Sequence, residues 1–482
     1  MAGKRAPVSK AGFVNPGLSE PRARDYVTVE LRHDSRVGYS SAGFSAPSDS
    51  ERFGTQLNRI LERFNVRKVT SLMGMRDRQI RRRVTAAPAS LREPVTAEFA
   101  HSGFVEILPR RNKDAASLAK SLNKANAVWK AEVAPRPVAA AAPSGSSSVS
   151  RNFEPTQGYL DSAPNGIAAI EAWEKYKAKG KGVTICDIEG NWNFKHEDLP
   201  TVRHLGGTLV PGAGWRNHGT AVLGEMVGKP GRSGVVGISH LARPVVQSAY
   251  FTNVWNTAGA IVNATSRLRA GDVILIELQA TGPNGKFVAM QYWDPVFSAI
   301  RAAVAKGICV VEAAGNGNED FNLPIFRNTG LQKDSGAIVV GAGIPPTNHF
   351  DYFGPDWGFP RYSWIGNPRS RIWFSNYGKI VNVQAWGWHV TSAGYGDAQG
   401  GRDQNRWYTT RFSGTSSASP IVTGAVACIQ AHAKSKTGSP LSPARVRSIL
   451  MRTGTPQASG PGVPLRQHIG PQPNLLRALA QV

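Results

Sequence analysis

Two units are predicted: a small α+β module of ferredoxin-like order, then a larger α/β domain whose parallel sheet carries helices on both faces. Three observations predict them. Beyond residue 150, short apolar strands alternate with helical patterns, as parallel sheets require. Before residue 134, strand and helix patterns run in the order βαββαβ. Between the two, residues 135–150 turn to Ala, Pro, Ser and Gly, a linker by composition. The expected layout is a polar tail at 1–24, a module at 25–134, the linker at 135–150 and the large domain at 151–482.

The elements follow in order. Residues 25–32 (DYVTVELR) alternate as a half-buried strand does. Residues 52–64 place Phe53, Leu57, Ile60, Leu61 and Phe64 on one helical face. A strand at 67–72 precedes a basic loop with Arg81, Arg82 and Arg83, read as solvated. Strand 104–108, helix 114–125 and strand 128–133 complete the module. In the large domain, helices are expected at 167–177, 258–268, 295–306 and 443–452. Strands are expected at 182–187, 235–238, 245–249, 272–278, 308–313, 338–342 and 381–384.

Composition narrows the class. The 482 residues carry a net charge of +24, and residues 1–150 hold 25 Lys+Arg against 13 Asp+Glu. Such a balance favours polyanions, but no nucleic-acid motif accompanies it, so nucleic acid is disfavoured as a partner. Cys186, Cys309 and Cys428 sit in apolar runs and read as buried small hydrophobes, not as disulfides or metal ligands. No apolar run of about 18 residues occurs, so no membrane span is expected. The start lacks an apolar stretch of signal-peptide length, and cytoplasmic residence is the expectation.

Three polar residues, Asp187, His218 and Asn316, lie where such sheets build sites, beyond the carboxyl ends of strands. Ser416, in Phe412-Ser413-Gly414-Thr415-Ser416-Ser417-Ala418-Ser419-Pro420, stands where a loop enters an apolar helix. Pro420 fits that helix's first turn. Asp187 ends strand 182–187, His218 starts a small-residue helix, and Asn316 ends strand 308–313. Singly, each suits a cap or turn. As a set they supply a nucleophile, a base of suitable pKa, a carboxylate to orient it and an amide for an oxyanion.

With these motifs the chain resembles the subtilisin-family (subtilase) serine peptidases, whose triad runs Asp, His, Ser along the chain. Gly414-Thr415-Ser416-Ser417-Ala418-Ser419-Pro420 matches the family's serine motif, His218-Gly219-Thr220 its histidine motif, and Ala313-Ala314-Gly315-Asn316 its oxyanion motif. Ser375-Asn376-Tyr377-Gly378 and Ile469-Gly470-Pro471-Gln472-Pro473-Asn474-Leu475 match further landmarks, so the resemblance covers roughly 155–482. It implies a subtilisin-like catalytic domain, a serine endopeptidase with catalytic Asp187, His218 and Ser416 and oxyanion residue Asn316, and a protein or peptide substrate. It also implies a self-processing zymogen, with the N-terminal module as prodomain and intramolecular inhibitor. No cofactor is implied; structural calcium is frequent in the family, but no loop here carries a calcium pattern.

The departures keep alternatives open. Around the acid this chain reads Asp187-Ile188-Glu189-Gly190, so Glu189, two residues on and on the same face, competes with Asp187. His196, in His196-Glu197-Asp198-Leu199, is a weaker rival to His218. Along the substrate edge stand Glu277, Leu278 and Gln279, where a carboxylate facing bound peptide would favour basic residues. Ala385-Trp386-Gly387 departs from the family's usual triplet as well. The rival functions are a catalytically dead subtilase scaffold used for binding, and a basic polyanion binder.

Overall fold

Alternating strands build the first sheet. The computed structural model describes residues 25–32, 38–40, 43–45, 51–71, 104–134, 150–346 and 366–482. The polar tail, Arg81 to Arg83 and the linker up to residue 149 lie outside them. In the module, β1 (Val27–Leu31), α1 (Glu51–Arg63), β2 (Val66–Ser71), β3 (Phe104–Pro109), α2 (Ala115–Leu122) and β4 (Val128–Val133) follow one another. The sheet order is β2-β3-β1-β4, antiparallel throughout, which is the expected ferredoxin-like arrangement. Val27 and Val29 of β1 and Val105 and Ile107 of β3 meet Leu57 and Leu61 of α1 and Leu118 and Leu122 of α2.

The large domain is a seven-stranded parallel sheet between two helical layers. Its elements are α3 (Ala169–Tyr176), β5 (Thr184–Glu189), β6 (Arg203–His204), α4 (Ala213–Val227), β7 (Arg243–Ser248), α5 (Thr257–Arg267) and β8 (Val273–Ile276). Then come the hairpin β9 (Gln279–Thr281) and β10 (Phe287–Ala289), α6 (Asp294–Ala305), β11 (Cys309–Ala313), β12 (Ile338–Gly343) and β13 (Val383–Trp386). A second hairpin, β14 (Val390–Ala393) and β15 (Tyr408–Phe412), leads into α7 (Thr415–Thr437), followed by α8 (Pro443–Thr453). The sheet order is β13-β12-β11-β8-β5-β7-β6, every pair parallel. Ile261 of α5 and Ile300 of α6 belong to one core; Leu223 of α4, Ile421 of α7 and Ile449 of α8 belong to the other.

Three local expectations change. Residues 235–238 form a loop, not a strand, because side chains claim their backbone: Val235 N–H donates to Asp198 Oδ2 (2.6 Å) and Val236 N–H to Gln157 Oε1 (2.8 Å). Helix α4 begins at Ala213, so His218 lies in its second turn, not at its start. Pro420 likewise falls in the second turn of α7, where its missing N–H leaves the Ser416 carbonyl without the usual i+4 donor.

The module rests on α5 and α6. Tyr26 and Ala134 share the apolar cluster of those helices, and the Tyr26 hydroxyl donates to the Trp255 carbonyl. Lys130 Nζ meets Asp294 Oδ2 at 2.7 Å, at the first turn of α6. Among the described residues no helix is long and apolar enough to cross a membrane.

Candidate active site

Residue parity decides which side chains meet. In β5, Cys186 and Ile188 point to the α5/α6 core while Ile185 points to the α4/α7 core. Asp187 and Glu189 therefore face α4 and α7. In β8, Val273 and Leu275 face the same side, and Glu277, two residues further, follows them. Its N–H donates to the Ile188 carbonyl (3.2 Å), holding Glu277 level with the two β5 acids.

On α4, His218 is buried between the rings of Phe412 and Trp215, both edge-on. Its Nδ1 hydrogen-bonds Glu189 Oε1, so with Nδ1 protonated the ring donates to that carboxylate. Asp187, expected to be this partner, instead accepts from Trp192 Nε1 at 2.7 Å. The reason is length. Strand β5 continues two residues past Asp187, and Glu189 carries one more methylene at its far end. Gly219 makes room: a Cβ there would run into Glu189 Oε2 and the Asn191 carbonyl.

His196 is spoken for. Its Nε2 bonds the Trp407 carbonyl (2.8 Å) and its Nδ1 accepts from Asp198 N–H (3.2 Å), so it serves structure and not the site.

Ser416 is the second residue of α7, behind an N-cap, Gly414, at φ 109°, a conformation glycine adopts without strain. The positive end of the helix therefore lies beside the hydroxyl, with Thr415 N–H and Ser417 N–H taken by Asn316 Oδ1 and the Gly414 carbonyl. Asn316 is fixed from that helix: its Oδ1 accepts from Thr415 N–H (2.8 Å) and Thr415 Oγ1 (3.1 Å). That leaves Nδ2, the donor end, available beside the helix start. The loop carrying Asn316 is clamped twice. Gln279 Oε1 accepts from Asn316 N–H (2.7 Å), and Asn376 bonds Gly317 N–H, Glu319 N–H and the Ala314 and Phe287 carbonyls. Gln279 thus braces the oxyanion loop, a role its position along the substrate edge did not suggest. Leu278 is core. Trp386 and Gly387 offer their carbonyls to Ser417 Oγ and Gly414 N–H.

Glu277 does not face solvent. It is 2% exposed, bonded to Ser419 Oγ at 2.5 Å, and close enough to Ser416 for that hydroxyl to favour its ionised form. Basic-residue preference through an exposed Glu277 carboxylate is therefore not supported. His218 Nε2 makes no hydrogen bond, so Ser416 and His218 are not hydrogen-bonded to one another here.

Burial dominates the electrostatics. It lowers the His218 imidazole to about 4, with the Asp187 charge opposing. It pushes Asp187, Glu189, Glu225 and Glu277 well above the carboxylate range, each reinforced by a neighbouring acid except Glu189. Acids this close in a dry interior do not all ionise. Glu189, with the imidazole N–H as donor, is the one best placed to hold a charge. Among the described residues no group of three or more His, Cys, Asp or Glu side chains is placed to hold a metal ion.

Known proteins resemble this chain in sequence and fold. The subtilase family model covers residues 184–470. Subtilisin DY of Bacillus licheniformis is 28% identical over 304 residues, 61% of this chain and 91% of that one. Subtilisin-like protease 2 of Trichophyton equinum is 27% identical over 257 residues, 52% of this chain and 50% of its own. The chain thus spans about half the length of that fungal relative. Among solved structures, fervidolysin of Fervidobacterium pennivorans, a keratinolytic enzyme related to subtilisin, aligns over 96% of this chain and 61% of its own. Its TM-score is 0.53 at 17% identity.

Proposed function

The chain belongs to the subtilase family of serine peptidases, and from that premise we propose that it cleaves peptide bonds with Ser416 as nucleophile, His218 as base and Glu189 as the orienting acid. The observation that carries the assignment of the acid is the His218 Nδ1–Glu189 Oε1 hydrogen bond. The Ser416 hydroxyl turns to His218 Nε2, passes its proton there and attacks the carbonyl. Asn316 Nδ2 and the Ser416 N–H receive the oxyanion. The imidazolium then protonates the leaving amine, and water resolves the acyl-enzyme by the same route. Asp187, pushed toward its neutral form by burial and held by Trp192, supports the wall behind Glu189.

The N-terminal module acts as an intramolecular inhibitor removed by self-cleavage. Its ferredoxin-like fold and its seat on α5 and α6 support this reading. The test is intact mass: the purified chain is expected to cut itself within about 134–160, near the linker, while Ser416→Ala stays full length. A Ser416→Ala chain that is cut equally fast would remove self-processing.

Release of the module is expected to respond to pH. Three carboxylates, Glu30, Glu132 and Asp294, surround the Lys130 amine at the contact. Burial, then Asp294, pushes Glu30 up to about 7. A raised carboxyl favours the docked form while protonated, and that contribution is lost as pH climbs from the ordinary carboxylate value through about 7. Active enzyme should therefore appear faster at mildly alkaline than at mildly acidic pH, with Glu30→Gln flattening the difference. Activation curves at several pH values check this.

A further inference from the structure

Glu277 has no part in the triad, yet it lies beside the nucleophile. Its carboxyl lies under the first turns of α7, against Ser419 Oγ at 2.5 Å and beside Ser416, three residues earlier on the same helical face. Ser419 Oγ also bonds the Thr415 carbonyl at 2.8 Å. A hydroxyl owns one proton. If Ser419 donates it to Thr415, its oxygen can only accept from Glu277, and the carboxyl must bring a proton of its own. The surroundings agree: Asp187 and Glu189 on β5, Glu225 on α4 and Tyr395 after β14 act on it or feel it, and all are acids. Glu277 Oε1, the carbonyl end, is left buried with no hydrogen-bond partner. On the far side of the site, His218 Nε2 lacks one too. An orphaned acceptor in a dry interior is unfavourable, and the Ser416 hydroxyl is the donor beside it.

We propose that Glu277 is a positioning residue for Ser416: as a neutral acid it holds the hydroxyl in a resting orientation from which the hydroxyl turns to His218 when substrate arrives. This rests on Ser416 being the peptidase nucleophile. A neutral carboxyl here fixes the hydroxyl without opposing the negative charge that grows at the attacked carbonyl. An ionised one would oppose that charge and retain the hydroxyl proton. Because burial raises the Glu277 carboxyl well above its ordinary value, the neutral form persists beyond the usual carboxylate range and is lost as pH rises further.

The experiment compares kcat and KM from about pH 5 to about pH 10 for the processed wild type, Glu277→Gln and Glu277→Ala, with fluorophosphonate labelling of Ser416 in each. Wild type is expected to lose kcat on the alkaline side. Glu277→Gln, an amide that stays neutral, should keep near-wild-type kcat at neutral pH and lose that alkaline fall. Glu277→Ala should lower kcat roughly tenfold at neutral pH with KM little changed, one hydrogen bond's worth of positioning. Should Glu277→Ala fail to fold, the Glu277→Gln profile decides alone. An alkaline fall unchanged in Glu277→Gln overturns the proposal while leaving the peptidase intact. Absence of Ser416 labelling in wild type overturns both.

Discussion

Replacing Glu189 by glutamine is expected to lower kcat about 10⁴-fold with little change in KM, the loss typical when a triad carboxylate becomes an amide. The physical reason is tautomer control. Glu189 Oε1 accepts from His218 Nδ1, which leaves Nε2 unprotonated and able to take the serine proton. Glutamine can turn its NH₂ toward Nδ1, reversing the tautomer and placing the proton where the base should be. Asp187→Asn should lose less than about tenfold, because an amide oxygen still accepts from Trp192 Nε1 and the replaced acid is already held toward its neutral form. Steady-state kinetics of the two variants checks the contrast. Equal and large losses would make the pair a shared acid; a large loss in Asp187→Asn alone would reverse the assignment.

Asn316→Ala is expected to lower turnover by about 10²–10³, again with KM nearly unchanged. The magnitude is that known for subtilisin's own oxyanion amide and is carried over from it. The structure adds why the donor is pre-aimed. Thr415 holds the Asn316 oxygen from both its N–H and its hydroxyl, so the amide cannot flip without losing two bonds. Asn316→Asp should be as damaging as alanine, since a carboxylate would meet the oxyanion with like charge. Kinetics on one peptide substrate suffices, and an Asn316→Ala enzyme within about threefold of wild type would place the oxyanion elsewhere.

Much of this was readable along the chain. The split βαβ order of the module, the apolar parallel strands and the serine, histidine and asparagine motifs all rest on local patterns of a few residues, and local patterns survive folding. The acid did not reveal itself the same way. The expected strand 182–187 ends at Asp187, yet β5 runs on to Glu189, which is fully buried and in register with Ser248. Only the path of α4 over β5, with Gly219 at the crossing, tells which of two same-face carboxylates reaches the ring. Glu277 differs for a related reason: the family resemblance sets it along the substrate edge, whereas parity turns its side chain under α7. Gln279 shows the converse: expected along the substrate edge, its side chain is spent on the loop backbone.

The central claim is that one serine among many is activated by a histidine anchored to Glu189. Fluorophosphonate labelling of the processed enzyme, mapped by peptide mass spectrometry, tests it most directly. A single adduct at Ser416, formed rapidly in wild type, slowed strongly in Glu189→Gln and little in Asp187→Asn, is the predicted result. No adduct at Ser416 in a folded, processed enzyme, or labelling indifferent to Glu189, would contradict it.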